Sequence, residues 1–424
     1  MRKTIFMMLV SLMVLSACGR AATVNPAGAP TQTIEVTATT APASTLTPNA
    51  TATATVVPET ATPSATSTPS YPVEGRGPTG FAAGVDPLTG LEVADPGLLN
   101  RRPIVIKVEN IPREHRPQWG LSLADLVFEY YTEFGATRFA AVFYGNDAQQ
   151  VGPIRSGRFF DANVVDMYKG ILVYGSAYQD VQSRFFNSDF ASRLILETTT
   201  SCPAVCRFDP NGQNLLVANT VALQDYLKTR GVNNTAQNLD GMLFKQTVPD
   251  GSAGSASQVY VRYSGAIYNR WDYDAASGTY LRFSDKENDV NRNNEVYAQL
   301  TDRLTGKPIA AQNVVTLCVP HQYYVKRSDS EVLDIIMDPG SASYKGCDGQ
   351  TYKGGTGAAY VARDGQMYQV TWQRAKKDSV LTLVNPDGSL FPYKPGQTWF
   401  EVIGASSDVA SKDGAWRFTH HMAP

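Results

Sequence analysis

Two guanidiniums three residues apart, in Gly152-Pro153-Ile154-Arg155-Ser156-Gly157-Arg158, are the side chains best suited to hold an anion. A glycine turn feeding a helix start presents backbone N–H groups, and arginine forks match the paired oxygens of phosphate or carboxylate. The competing use is structural: Ser156 caps the helix, and the arginines pair with Asp125, Glu129 or Asp161. Those acids could also do chemistry of their own. A glycosidase needs two carboxyls about 5–9.5 Å apart. Glu129 and Glu133, on one face of an extended strand, stand about 13 Å apart. A cross-strand pair of Glu133 with Arg138 is the expected use of the second. The candidate ligand-binding set is therefore Arg155, Ser156, Arg158 and Arg138 with Asp125 and Glu129; no catalytic set is recognisable.

Other chemistries find less support. The chain has 4 histidines: His115 in a charged loop, His321 beside Pro320, and the adjacent His420 and His421. None stands in a His-Glu-x-x-His arrangement. No Gly-x-Ser-x-Gly elbow and no Ser-x-x-Lys signature occurs. Asp289-Val290-Asn291-Arg292-Asn293-Asn294 opens like a calcium loop, but position 6 is Asn294, not glycine, and position 12 is Leu300, not glutamate. A solvated turn is expected there. Gly354-Gly355-Thr356-Gly357 lacks the lysine of a phosphate loop and reads as a strand entry. Trp372 and Trp399 are either a sugar-stacking platform or, as expected, core aromatics. Neither metal nor cofactor is implied.

The beginning of the chain carries a different kind of chemistry. Met1-Arg2-Lys3 precedes an apolar run over residues 5–15, too short for a membrane span of about 20 residues. Such a basic start and short apolar core is an export signal. Leu15-Ser16-Ala17-Cys18-Gly19 follows, and resembles the lipobox of bacterial lipoproteins. That resemblance implies a signal peptide over residues 1–17 and a lipidated Cys18. It also implies a protein held through its lipid at the outer face of a bacterial membrane. Residues 18–75 are dominated by Thr, Ala and Pro, a composition that cannot bury enough apolar surface to fold and that reads as a stalk.

Four cysteines remain: Cys202, Cys206, Cys318 and Cys347. Outside the cytoplasm an even number favours disulfides. Cys202 with Cys206 would close a small loop and Cys318 with Cys347 a longer one; free buried thiols and a zinc site are the alternatives. The formal net charge of −2, without a basic stripe, argues against nucleic acid as a partner.

The elements that must position these residues show in the hydrophobic pattern. Residues 103–108 and 171–174 are β-branched and apolar, as buried strands are. Runs at 126–133 and 137–144 flank Gly135-Ala136, which suits a two-residue type II′ hairpin loop. Residues 159–168 look helical with Gly170 as their stop, and Asn219 or Thr220 caps a helix over 221–230. Strands alternating with helices indicate an α/β layered first domain over residues 76–248. After a hinge at 249–255 the pattern turns to short strands and turn pairs. Asp364-Gly365, between runs at 358–362 and 367–372, marks a hairpin. Residues 255–424 are read as a β-rich second domain, making the chain α+β overall.

These segments resemble the YerB-type lipoproteins, a two-domain bacterial family without an established function. The likeness rests on Arg102-Pro103-Ile104-Val105-Ile106-Lys107-Val108-Glu109-Asn110, Arg116-Pro117-Gln118-Trp119-Gly120 and Gly152-Pro153-Ile154-Arg155-Ser156-Gly157-Arg158. In the second half it rests on Gly355-Thr356-Gly357-Ala358-Ala359-Tyr360 and Pro395-Gly396-Gln397-Thr398-Trp399-Phe400-Glu401. Where that family would carry Pro-His-Asn, this chain has Gly212-Gln213-Asn214. The resemblance implies an α/β domain, a β-rich domain and an envelope address, and supplies no catalytic residue. The expectation is a membrane-anchored binding or accessory protein for an anionic cell-wall polymer or lipid-linked ligand, leaning away from an enzyme. A wall hydrolase using Asp125, Glu129 and Glu133, and a protein–protein scaffold, are the alternatives.

Overall fold

The computed structural model describes Glu74, residues 77–207 and residues 215–422, all within one compact unit spanning Thr66–Pro424. Cys18, the signal-like leader, the Thr/Pro-rich segment and Gly212-Gln213-Asn214 lie outside the described residues.

The β-branched run that opens the first half forms strand β1 (Ile104–Glu109), buried along its whole length. Strands β2 (Leu126–Tyr131) and β3 (Thr137–Phe143) follow as an antiparallel hairpin. Helix α1 (Phe159–Tyr168) is closed at its start by Asp161, whose carboxylate accepts the Arg158 N–H at 2.7 Å. It ends at Lys169, which takes the left-handed conformation (φ 52°) expected of Gly170. Asn219 caps a third helix, Thr220–Thr229, accepting from Ala222 N–H at 3.0 Å. The second helix, Gln179–Phe186, was not foreseen from the sequence, because its polar stretch has only Val181 and Phe185 buried.

The main sheet has eleven strands, and five of them come from the first half. From one edge they run Thr382–Val384, Gln366–Gln373, Thr356–Arg363, Asn313–Val319, Thr398–Gly404, β2, β3, β1, Ile171–Val173 and Leu194–Ile195. Gly254–Ser255 adds to the outer side of Gln366–Gln373. The strand Thr398–Gly404 lies parallel to both β2 and Asn313–Val319, so both halves of the chain share this sheet. A second sheet of seven strands is built wholly from the second half, around Gln258–Arg262, Tyr268–Asp274, Thr279–Asp285 and Ala415–Thr419. The fold is thus α+β, with three α-helices in the first half and a mainly β second half among the described residues.

Because side chains alternate across a strand, each main-sheet strand contributes to two cores. Phe128, Phe400, Val105 and Ala140 pack with Phe160, Val164 and Tyr168 of α1 on one face. Ile106, Val127, Trp399 and Ile403 pack with Val259, Trp271 and Tyr280 of the second sheet on the other. Trp372 and Trp399 are core residues, both at 0 % exposure.

Cys202 is bonded to Cys206 and Cys318 to Cys347. Asp289 closes its own turn, accepting the N–H groups of Asn293 and Asn294 at 3.1 and 3.2 Å, besides pairing with Arg262. No described helix is long and apolar enough to cross a membrane.

Candidate anion-binding site

The pleat of β1 and β3 decides which polar residues meet. Lys107 and Glu109 of β1, Arg138 of β3 and Tyr130 of β2 all point to the helix-covered face, while Glu129 points to the other. At the end of that face the loop before α1 delivers Arg155, Ser156 and Arg158. Arg155 Nε lies 2.8 Å from Glu109 Oε2. Arg158 forks onto Glu133, with Nε 2.8 Å from Oε2 and Nη2 on Oε1. Arg138 Nη2 reaches the same Oε1 at 2.6 Å, and its Nη1 donates to Ser156 O at 3.1 Å. Ser156 Oγ pairs with Ser176 Oγ at 2.9 Å. The side chains of Arg138, Arg155 and Arg158 keep 14 %, 22 % and 13 % exposure, so the cluster opens to solvent.

Beneath it lies a buried group absent from the sequence reading. Lys107 Nζ is 3.3 Å from Asp161 Oδ1 and also meets the Tyr130 hydroxyl, which itself donates to Asp161 Oδ1 at 2.5 Å. A lone lysine in the run Ile104-Val105-Ile106-Lys107-Val108 was the available signal, since a fully buried lysine requires partners. His115 Nδ1 contacts Glu109 Oε1 at 2.6 Å and completes the set.

The electrostatics record burial first and like-charge crowding second. Burial, then Arg158, pushes the Arg138 guanidinium down to about 10, against the pull of Glu133. Burial pushes Lys107 down to about 7, with Arg138 and Arg158 adding to the fall and Asp161 opposing it. Burial would raise Glu133, but Arg138 and Arg158 outweigh it and hold the carboxyl low. For Glu109 burial wins, and its carboxyl is raised despite Arg155 and His115. Lys107, Arg138, Arg155 and Arg158 thus meet the carboxyls of Asp161, Glu133 and Glu109.

The expected set divides accordingly. Arg138, Arg155, Ser156 and Arg158 come together, joined by Glu133. Asp125 and Glu129 go elsewhere, and neither pairs with Arg155 or Arg158. Asp125, 1 % exposed, accepts the Gly145 N–H at 3.0 Å and sits beside the buried Asp86. Glu129, at 0 % exposure, is locked between the two sheets. Its Oε1 accepts from Asn110 at 2.9 Å and Thr137 at 2.7 Å, and its Oε2 from Arg282 at 2.5 Å. Arg282 Nη1 also reaches Glu401 Oε1 at 3.0 Å, which accepts from Trp271 Nε1 at 2.8 Å. The Glu133–Arg138 pair forms, but not across a ladder. The strands end at Tyr131 and begin again at Thr137, and Glu133 starts a four-residue turn. Phe134 and Gly135 both take positive φ (47° and 82°), the pattern of a type I′ loop, not the expected type II′. Asp125, Glu129 and Glu133 therefore sit in three separate environments.

Residues 88–232 match the N-terminal domain, and residues 259–400 the C-terminal domain, of the family described as protein of unknown function (DUF3048). The YerB protein of Bacillus subtilis (strain 168), a presumptive lipoprotein by its name, is 26 % identical over 325 residues, covering 75 % of this chain and 85 % of that one. The crystal structure of Bacillus subtilis YerB superposes with a TM-score of 0.58 at 23 % identity, covering 76 % of this chain and 97 % of that one. With its main sheet shared between an N-terminal and a C-terminal half, each matching one domain of that pair, the chain belongs to the YerB-like family.

Proposed function

We propose that this chain is a lipid-anchored envelope protein that binds an anionic group of a wall polymer or lipid-linked molecule at Arg138, Arg155 and Arg158. The observation that carries the reading is the convergence of three part-exposed guanidiniums from two segments, where burial first and the neighbouring Arg158 second depress Arg138. An incoming phosphate or carboxylate would relieve that repulsion and gain charge-assisted hydrogen bonds, each worth about 1.5–3 kcal/mol. The anchor rests on Leu15-Ser16-Ala17-Cys18 and on the lipoprotein name of the Bacillus subtilis relative. A hydrolase built on Asp125, Glu129 and Glu133 has no comparable support, since two of the three are sealed from solvent.

Titration of the full-length protein with soluble wall fragments and with pyrophosphate tests the site. Arg155→Ala with Arg158→Ala is expected to weaken binding at least about tenfold and to flatten its salt dependence. Unchanged affinity in that variant rejects the site. Incorporation of labelled fatty acid, lost in Cys18→Ala, tests the anchor separately.

A further inference from the structure

On the opposite side of the β2–β3 turn from the arginine cluster lies a cleft of about 330 Å³, formed between that turn, the second sheet and the Asp289 loop. Its lining holds two arginines, Arg262 and Arg292, and a histidine, His420, but not one carboxylate. Arg262 is neutralised from behind by Asp289 at 2.8 Å and Glu295 at 3.0 Å. Arg292 stands at the exposed rim.

Two apolar side chains flank the same cleft and remain largely exposed. Phe134 is 60 % exposed and Val290 is 77 % exposed. Phe134 also occupies a left-handed backbone position (φ 47°) that favours glycine or asparagine. An exposed phenylalanine gains little from burial, and the left-handed backbone costs about 1–2 kcal/mol. The hairpin turn sets that backbone, and the apolar surface it holds out beside a cationic cleft is surface a ligand can cover. His420 closes the floor at 7 % exposure, its Nδ1 accepting the Gly404 N–H at 3.0 Å and its Nε2 sealed from solvent, with the His321 ring 5.0 Å away.

We infer that this cleft is a second binding site, for a small amphiphilic anion whose apolar arm rests on Phe134 and Val290 and whose phosphate or carboxylate faces Arg292. It does not depend on the arginine cluster, which lies on the other face of the main sheet.

Hexyl phosphate is the probe, with inorganic phosphate and hexanol as its charged and apolar halves, titrated against the full-length protein. Hexyl phosphate is expected to bind at least about tenfold more tightly than either half. Phe134→Gly and Arg292→Ala are each expected to weaken it about tenfold, while Phe134→Gly leaves the melting temperature unchanged or higher. Arg158→Ala should leave hexyl phosphate binding intact, so this site and the arginine site stand or fall separately. Equal binding of the three probes, no binding of hexyl phosphate, indifference to Phe134→Gly, or loss of binding in Arg158→Ala but not Arg292→Ala would overturn the inference.

Discussion

Replacing Arg282 by methionine should destabilise the protein more than any surface change, and more severely in alkali than in acid. Arg282 lies at 1 % side-chain exposure between two carboxylates at 0 %, Glu129 at 2.5 Å and Glu401 at 3.0 Å. Removing one partner from a buried ion pair costs about 3–5 kcal/mol, because the remaining charge has neither water nor counterion. Here two carboxylates are orphaned together, so the upper part of that range applies. For a large domain this corresponds to a fall in melting temperature of about 6–20 °C. The pH dependence follows from Glu129. Burial pushes its carboxyl from an ordinary 4.5 up to about 7 even with Arg282 pulling it down, and Glu401 adds to the rise. A raised carboxyl favours the protonated folded state. Its stabilising contribution is complete below 4.5 and is lost as pH rises through about 7. In Arg282→Met, proton uptake by Glu129 relieves the orphaned charge, and it becomes harder by up to about 1.4 kcal/mol per pH unit. Urea denaturation at pH 5.5 and pH 8, with unchanged m-values, measures both effects. A loss below about 1 kcal/mol, or the same loss at both pH values, would show that Arg282 does not hold the two sheets together through its charges.

Further outcomes test other parts of the fold. Burial drives Asp125 up to about 6 beside Asp86, so the native protein should lose stability as pH rises from 4 through 6. Asp125→Asn, which can still accept the Tyr144 and Gly145 N–H groups, should flatten that slope in melting curves by at least about 1 kcal/mol. Cys202 is exposed whereas Cys318 is at 0 % exposure, so mild reductant should open Cys202–Cys206 first, as thiol labelling and mass spectrometry would show. Losing the 29-residue separation closed by Cys318–Cys347 should cost about 3–4 kcal/mol, against about 2 for the smaller ring.

What the sequence by itself determined was whatever short-range physics controls. Helix α1, the Asn219 cap and the hairpin Thr356–Arg363 with Gln366–Gln373 follow from neighbouring residues, and the turn at Asp364-Gly365 carries the positive φ its composition implies. That Arg155 and Arg158 leave one short loop close together was legible for the same reason. Only the tertiary structure decided the rest. The strand Thr398–Gly404 inserts beside β2, bringing Glu401 and Arg282 to Glu129 from sequence separations of 272 and 153 residues, and no local pattern signals such a meeting. Lys107 reads as an anomaly in an apolar strand until α1 supplies Asp161. Phe134 looks like an ordinary aromatic until the turn forces it left-handed and outward. Periodicity announces which face of a strand is buried, but which charges meet there depends on long-range register, where the energy comes from the whole packed sheet and not from any one segment.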